Sequence, residues 1–148
     1  MTLFEQLHAG LTTSSAEETQ TLAAQLARVL PANPTLALHG DLGVGKTTFV
    51  QGLARGYGIK EIVTSPTFTI FTLHQGEKCR LVHLDAYRLE RAAQLDALML
   101  EDFLVPPYCL AVEWPENIAE WLPPETLHLD LGILPDQRHT LRLRGSRA

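Results

Sequence analysis

The segment that most constrains the fold is glycine-rich and spans residues 40–47, with the sequence Gly-Asp-Leu-Gly-Val-Gly-Lys-Thr. The apolar residues 35–39 before it predict a short buried strand, and residues 46–55 predict a helix that ends near two further glycines. A strand that turns through glycines directly into a helix is typical of α/β proteins with a parallel sheet. We therefore expect an α/β fold organised around this unit.

The spacing of Gly40, Gly45, Lys46 and Thr47 matches the phosphate-binding loop of nucleotide-binding proteins in full. Glycines let successive backbone N–H groups form an anion-binding nest, to which the start of the following helix adds its positive end. Lys46 is expected to reach the β- and γ-phosphates, and the Thr47 hydroxyl to ligate Mg²⁺. A guanine-specific Asn/Thr-Lys-x-Asp element does not occur, which favours ATP or ADP over guanine nucleotides. The residues expected to contact the nucleotide here are Asp41, Leu42, Gly43, Val44, Gly45, Lys46, Thr47 and Thr48.

Two acidic residues directly follow apolar stretches that predict strands. Asp85 closes residues 81–84 and Glu113 closes residues 109–112. The carboxyl ends of parallel strands open onto the crevice where ligands bind, and a phosphate loop needs an acid there to control Mg²⁺. We expect Asp85 and Glu113 to be catalytic and to share the metal site with Thr47. The pattern leaves open which acid ligates the ion and which orients it or the attacking water.

The remaining elements complete a mixed sheet. A helix is predicted at residues 14–30, where Ser15 and Glu18 have capping-box spacing. A hairpin is predicted from strands 67–73 and 80–85, and a long helix from residues 89–104. Further predictions are a strand at 108–113, a helical turn at 118–122 and a strand pair at 126–134 and 139–144. The expected architecture is a P-loop NTPase fold in one domain, residues 1–148: a mixed, mostly parallel sheet flanked by helices, with antiparallel additions.

Composition narrows the possible partners and locations. The net charge is −5, from 17 acidic and 12 basic residues, whereas a domain that grips nucleic acid alone is usually basic. We therefore expect contact with nucleic acid only through a partner. Apolar runs stay well short of the roughly 18 residues of a membrane span, and residues 1–10 lack signal-peptide features, so a cytoplasmic protein is expected. The cysteines, Cys79 and Cys109, form no metal or redox motif.

Four motifs, taken together and in order, resemble one family. They are residues 40–49, Ser-Pro-Thr-Phe at 65–68, His-Leu-Asp-Ala-Tyr-Arg-Leu at 83–89 and Glu-Trp-Pro-Glu at 113–116. This set is similar to that of the TsaE (YjeE) family, the small bacterial ATPases of tRNA threonylcarbamoyladenosine biosynthesis. The resemblance implies ATP hydrolysis within an assembly that modifies adenosine 37 of tRNAs reading codons that start with A. In that assembly a TsaD-type partner, held with a TsaB-type subunit, transfers the threonylcarbamoyl group.

The resemblance also implies residue roles. Lys46, Thr47, Asp85 and Glu113 match the family's nucleotide and metal residues, and Thr67 matches a switch-like threonine that faces the metal or the γ-phosphate. The loop entry at 65–66 favours extended backbone, so a hydroxyl there could close on a γ-phosphate.

Several side chains near the motifs keep an alternative interpretation. Thr67 could instead be a threonine at the start of a strand. Trp114 matches a family tryptophan beside the nucleotide, and packing between strand and loop is its alternative. Arg88 could reach a phosphate, a partner or a surface ion pair. His83 is interpreted only as a strand residue.

Two other functions compete with the ATPase. Many short P-loop proteins are small-molecule kinases, although an arginine-bearing lid of the kind those enzymes carry is not visible in this sequence. The other is a switch that binds partners in its ATP state without hydrolysis. Product analysis separates the three, since an ATPase releases free phosphate and a kinase yields a phosphorylated metabolite.

Overall fold

The computed structural model describes residues 2–41, 43–64, 66 and 70–145. Within this part of the chain, seven strands form one sheet in the order β1-β7-β6-β2-β5-β4-β3. The four central strands are mutually parallel, and the pairs β1–β7, β6–β7 and β3–β4 are antiparallel. The strands are β1 (Leu11–Thr13), β2 (Thr35–His39), β3 (Phe71–Gln75), β4 (Arg80–Asp85), β5 (Tyr108–Glu113), β6 (Leu127–Ile133) and β7 (His139–Leu143). The predicted α/β fold is confirmed, with its parallel centre and antiparallel additions.

Helices cover both faces of the sheet and divide the interior into two cores. The described helices are α1 (Leu3–Ala9), α2 (Ala16–Val29), α3 (Lys46–Gly56) and α4 (Ala93–Leu98), with 3₁₀ helices at Leu100–Phe103 and Pro115–Trp121. Because side chains alternate along a strand, Leu81 and Cys109 face the core under α1, α2 and α3. Their neighbours Val82 and Leu110 face the core under α4 and the 3₁₀ helices.

The second helix starts as its sequence predicts. The Ser15 hydroxyl accepts a hydrogen bond from the Glu18 N–H at 3.1 Å, and the Glu18 carboxylate accepts one from the Ser14 N–H at 3.3 Å. The first bond satisfies an N–H group that a helix start leaves without a partner, and the second holds the residue that precedes the N-cap. The side chain of Ser15 therefore sets the residue at which α2 begins.

Glycines bring α2 and α3 together at backbone distance. A Cβ on Gly52 would lie 2.5 Å from the Gln20 carbonyl oxygen, and one on Gly56 would lie 2.6 Å from the Ala24 carbonyl oxygen. The helix of the phosphate loop is thus fixed against its neighbour by contacts that only glycine allows.

The predicted single helix at residues 89–104 is wrong. The chain forms α4 and then a 3₁₀ helix, separated by Met99 in the left-handed conformation at φ 55°. In a continuous helix, Leu95 and Met99 would lie on the same face at a spacing of four residues, yet 62% of Met99 is exposed, while Leu95 and Leu100 are buried. The break at Met99 turns Leu100 into the core, which a continuous helix would direct elsewhere.

Other differences concern the ends of the chain and the hairpin. Helix α1 and strand β1, which precede the first predicted helix, were not predicted. Strand β3 reaches Gln75, further than predicted, and the start of the predicted strand at 67–69 lies outside the described residues. None of the helices in the described part of the chain has the length and apolarity needed to cross a bilayer.

Candidate functional site

The predicted phosphate loop packs closely against strand β6 at Gly40. Gly40 has φ 145°, and a Cβ there would lie 2.5 Å from the Leu131 carbonyl oxygen of β6. Gly43 and Gly45 have φ 84° and 96°, a region that side chains rarely adopt. Gly45 is the N-cap of α3 and has no side-chain cap, so the first N–H groups of this 11-residue helix lack a side-chain acceptor at the cap. The loop and the helix start therefore present donors suited to an anion.

Lys46 lies folded back across the loop. Its Nζ donates a hydrogen bond to the Gly40 carbonyl oxygen at 2.7 Å and stands 3.8 Å from the centre of the Trp114 ring. The residue is 5% exposed, and burial lowers the pKa of its ammonium, while Glu113 opposes that shift. A buried ammonium of this kind favours an anionic ligand, because a phosphate would give it a charged partner in place of the uncharged Gly40 carbonyl and Trp114 ring.

Glu113 and Asp85 end adjacent parallel strands at the same level. They are register partners, so they share the face of the sheet on which α3 packs. The Glu113 Oε2 accepts a hydrogen bond from the Thr47 hydroxyl at 3.4 Å. The acids that the sequence placed at two strand ends are thus neighbours, and one of them reaches the helix that starts at the loop.

Backbone contacts hold the segment after Asp85. The Tyr87 N–H donates to the Asp85 Oδ1 at 3.0 Å, and the Asn117 amide donates to the Ala86 carbonyl oxygen at 2.8 Å. Burial raises the pKa of the Asp85 carboxyl, and the charge of Glu113 adds to the shift, although the Tyr87 N–H opposes it. Asp85 is therefore a carboxylate whose negative charge lacks a strong partner among the described residues, as expected where a cation binds.

Trp114 directly follows Glu113 and adopts the left-handed conformation, with φ 57°. Its ring packs on that of Tyr87, with centroids 5.2 Å apart, and also contacts the Lys46 ammonium. A positive φ in an aromatic residue is uncommon and costs energy, so the surroundings must enforce it. The structure places Trp114 both in packing and beside the loop, which leaves its two interpretations open.

Two histidines contact residues of the site, although neither was predicted to belong to it. His83 Nε2 lies 2.6 Å from the Glu113 Oε2. His139, on β7, has its Nδ1 3.0 Å from the Val44 carbonyl oxygen, and its ring lies 3.5 Å from where a Gly45 Cβ would be. Strand alternation could have placed His83 on the face of Asp85, two residues later. No local signal connects His139 to a loop 95 residues earlier.

The remaining residues that were predicted to contact the nucleotide differ in how far they are exposed. Asp41 and Gly43 are exposed, Val44 is buried and Thr48 is half-buried at the start of α3. Leu42 and Thr67 lie outside the described residues, so their predicted contacts with nucleotide and metal stay predictions.

The oxygen atoms at this site suit Mg²⁺ in chemical type. The Thr47 hydroxyl and the Glu113 and Asp85 carboxylates are hard oxygen donors, and a bound nucleotide would add phosphate oxygens. Among the described residues, no group of three or more His, Cys, Asp and Glu side chains could hold a metal ion by itself. Mg²⁺ is usually held by one or two carboxylates together with substrate phosphates, so a bound nucleotide would have to complete such a site.

Comparisons with known proteins identify the family. A sequence model described as "Threonylcarbamoyl adenosine biosynthesis protein TsaE" matches residues 13–141. Two proteins named "tRNA threonylcarbamoyladenosine biosynthesis protein TsaE" are similar along most of their length. The one from Treponema pallidum is 35% identical over 122 residues, which are 82% of this chain and 90% of that protein. The one from Bacillus subtilis is 43% identical over 117 residues, which are 79% of this chain and 73% of that protein.

A solved structure agrees with the sequence comparisons. The crystal structure of Bacillus subtilis YdiB superposes with a TM-score of 0.73 at 37% sequence identity, covering 89% of this chain and 81% of that one. The family match covers both strand ends that carry the acids as well as the phosphate loop. The chain therefore belongs to the TsaE family of proteins of tRNA threonylcarbamoyladenosine biosynthesis.

Proposed function

We propose that this protein binds ATP with Mg²⁺ and hydrolyses it as the ATPase component of the bacterial assembly that makes threonylcarbamoyladenosine at position 37 of tRNA. One observation carries the proposal: Lys46, Thr47 and the Glu113 carboxylate converge where α3 begins. In this proposal the chain acts in the cytoplasm with a TsaD-type transferase and a TsaB-type subunit. It supports turnover of that complex, does not itself transfer the threonylcarbamoyl group, and meets tRNA only through its partners.

The residues divide the work of binding and hydrolysis. The loop N–H groups and Lys46 bind the β- and γ-phosphates, which requires Lys46 to exchange the Gly40 carbonyl for phosphate oxygens. Thr47, with Asp85 or Glu113, would hold Mg²⁺, which supplies neutralisation of charge on the phosphates. The other acid orients the ion or the attacking water. The resemblance to the family assigns Thr67 to the metal or the γ-phosphate and Trp114 to a place beside the nucleotide.

The test is loss of phosphate release in Lys46→Ala. Removing the charge that neutralises the transferring phosphoryl group should lower kcat by about 100-fold or more. Lys60→Ala is the matched control, because Lys60 is a surface lysine paired only with Glu77 among the described residues, at 3.5 Å. Thr47→Ala should chiefly weaken Mg²⁺-dependent nucleotide binding.

The products separate this function from the alternatives. Free phosphate from the wild-type protein supports the ATPase, whereas a phosphorylated metabolite would make it a small-molecule kinase. ATP binding with neither product would make it a non-hydrolysing ATP-dependent switch. Wild-type turnover in Lys46→Ala would remove the phosphate-loop assignment altogether.

A further inference from the structure

A buried histidine and a buried glutamate are paired behind the phosphate loop. His83 lies on β4 with none of its surface exposed, and Glu113 on β5 is 5% exposed. His83 Nε2 and Glu113 Oε2 are 2.6 Å apart. Both strands are central and parallel, and Glu113 lies two residues beyond Ala111, the register partner of His83. The pair therefore lies in the parallel centre of the sheet.

The chemistry of the two groups decides which of them donates the hydrogen bond. A carboxylate accepts, so His83 Nε2 carries the proton and donates. His83 Nδ1 is buried and has no hydrogen-bond partner in the described part of the chain. A buried polar atom without a partner is costly, and an apolar side chain of similar size would avoid that cost. Packing alone thus gives no reason for a histidine at this position.

The same carboxylate oxygen faces the nucleotide side of the site. Glu113 Oε2 receives the His83 N–H and, at 3.4 Å, the Thr47 hydroxyl. The bond from His83 is the shorter and the more buried of the two, so it sets the orientation of the carboxylate before any ligand arrives. Two donors on Oε2 keep the carboxylate directed at Thr47, the residue expected to ligate Mg²⁺.

We propose that His83 is a positioning residue that holds the Glu113 carboxylate against Thr47 and thereby sets the Mg²⁺ requirement of nucleotide binding. The inference rests on the proposed function, since it assigns Thr47 and Glu113 to the metal side of the nucleotide. It predicts that loss of the His83 donor weakens the contribution of Mg²⁺ without removing the phosphate loop. Nucleotide binding in the absence of the ion should therefore change little.

Three variants test the role of the donor. His83→Leu removes the N–H at similar volume, and His83→Gln keeps an N–H near the position of Nε2. His74→Leu is the matched control, because His74 is 8% exposed and makes a 2.6 Å contact with Glu61, outside the nucleotide site. All three lose a buried histidine, and two of them also lose a histidine–glutamate bond.

The primary measurement is ADP affinity by calorimetry in EDTA and across a Mg²⁺ titration. We expect His83→Leu to raise the Mg²⁺ concentration for half-maximal tight binding at least tenfold, with affinity in EDTA within about twofold of wild type. His83→Gln and His74→Leu should both follow the wild-type Mg²⁺ titration. Wild-type Mg²⁺ dependence in His83→Leu would overturn the proposal, and so would a His83→Gln protein as impaired as His83→Leu.

A second measurement holds even where His83→Leu does not fold. Long-range ¹H–¹⁵N spectra of the nucleotide-free wild-type protein should show His83 protonated at Nε2, and Glu113→Gln should shift that resonance. Protonation at Nδ1 alone would contradict the geometry on which the role depends. Failure of the proposed function looks different, because wild-type protein would then show no Mg²⁺-dependent nucleotide binding at all.

Discussion

At the scale of single residues, the half-buried carboxyl of Asp85 is expected to lower the stability of the folded protein at neutral pH. Burial and the neighbouring Glu113 raise the pKa of its carboxyl above the ordinary value of 3.8. A raised folded-state pKa means that ionisation destabilises the folded protein, and that loss develops as pH rises from 3.8 through the folded pKa. Asp85→Asn should therefore raise the Tm of the nucleotide-free, metal-free protein at pH 7, with the gain disappearing at low pH.

Thermal unfolding across pH 3 to 8 in EDTA checks this expectation, and Asp130→Asn is the control of opposite sign. A hydrogen bond from Arg144 lowers the pKa of Asp130, so its contribution is present above 3.8 and is lost as pH falls through the folded pKa. Asp130→Asn should thus lower the Tm at pH 7. An Asp85→Asn protein less stable than wild type at pH 7 would contradict the account of Asp85 as an uncompensated acid.

His139 connects the C-terminal hairpin to the phosphate loop. Its Nδ1–H donates to the Val44 carbonyl oxygen at 3.0 Å, which orients a peptide unit beside Gly45. A net hydrogen bond is worth about 0.5–1.5 kcal/mol, so His139→Ala should weaken ADP affinity by roughly 2- to 13-fold. His139→Asn keeps a donor near Nδ1 and should bind ADP as wild type does, whereas His139→Gln places its amide near Nε2 and should not. Calorimetry decides, and equal affinity in wild type and His139→Ala would show that the contact is incidental.

At the scale of elements, the contact between α2 and α3 depends on glycine. Alanine at Gly52 would improve helix propensity by about 1 kcal/mol, but its Cβ would lie 2.5 Å from the Gln20 carbonyl oxygen. Overpacking against a backbone typically costs about 1–3 kcal/mol, and a rigid helix cannot yield as a side chain would. We expect Gly52→Ala to lower the free energy of unfolding by about 1 kcal/mol and to displace the start of α3, which weakens ADP binding.

Urea unfolding and ADP titration test this expectation together. Gln25→Ala is the control, since Gln25 is exposed on α2 and its replacement changes propensity only. A Gly52→Ala protein at least as stable as wild type would mean that the two helices separate more easily than their spacing indicates.

Elements with strong local patterns were predictable, and those fixed by distant contacts were not. The Ser15 cap, the glycine-rich turn and the apolar strands each encode their own structure, so α2, α3 and the parallel centre follow from the sequence. Strand β1 is three residues long and exists because it pairs with β7, where Leu11 lies opposite Leu141 from the other end of the chain. The helix break at Met99 likewise depends on where the core lies, which spacing alone does not reveal.

The site divides in the same way. Asp85 and Glu113 could be placed together because parallel strands end at one edge of a sheet. The contacts of His83 and His139 depend on side-chain rotamers and on the order of the strands in the sheet. Strand β4, which carries His83, lies beside β5, whereas β7, which carries His139, lies on the other side of β2. Periodicity identifies the face of a residue, whereas a hydrogen-bond partner requires the register between strands.

At the scale of the whole molecule, charge bears on how the protein meets tRNA. The net charge of −5 opposes binding to a polyanion, because neutralising phosphates requires clustered lysine and arginine. A role in tRNA modification and an acidic surface are compatible if another subunit provides the basic surface. We expect the isolated protein to bind tRNA no better than a small acidic protein does at physiological salt.

Within the described part of the chain, the proposed site has little positive charge for rapid phosphoryl transfer. Lys46 is the cation that contacts the loop among the described residues. Arg88, which follows Asp85 along the chain, is exposed and has no ion pair within the described chain. Phosphoryl transfer depends on positioning and on charge aimed at the transition state, so a site with one lysine and a metal should be slow. Such sites gain speed when a partner surface completes them.

Binding of a TsaB- and TsaD-type pair should therefore raise ATP hydrolysis by at least about tenfold, and ATP should tighten that binding relative to ADP. The second effect is expected if the pair also tightens the binding of ATP relative to ADP, because linkage between nucleotide and partner is reciprocal for binding free energies. Phosphate release with and without the purified pair measures the first, and pair affinity with a non-hydrolysable ATP analogue or ADP measures the second. The Lys46→Ala variant separates the two, since it should lose stimulation while still reporting whether nucleotide alters partner affinity. If neither hydrolysis nor affinity responds in the wild-type protein, the partner-coupled function is wrong, which leaves a small-molecule kinase or an ATPase that needs no partner.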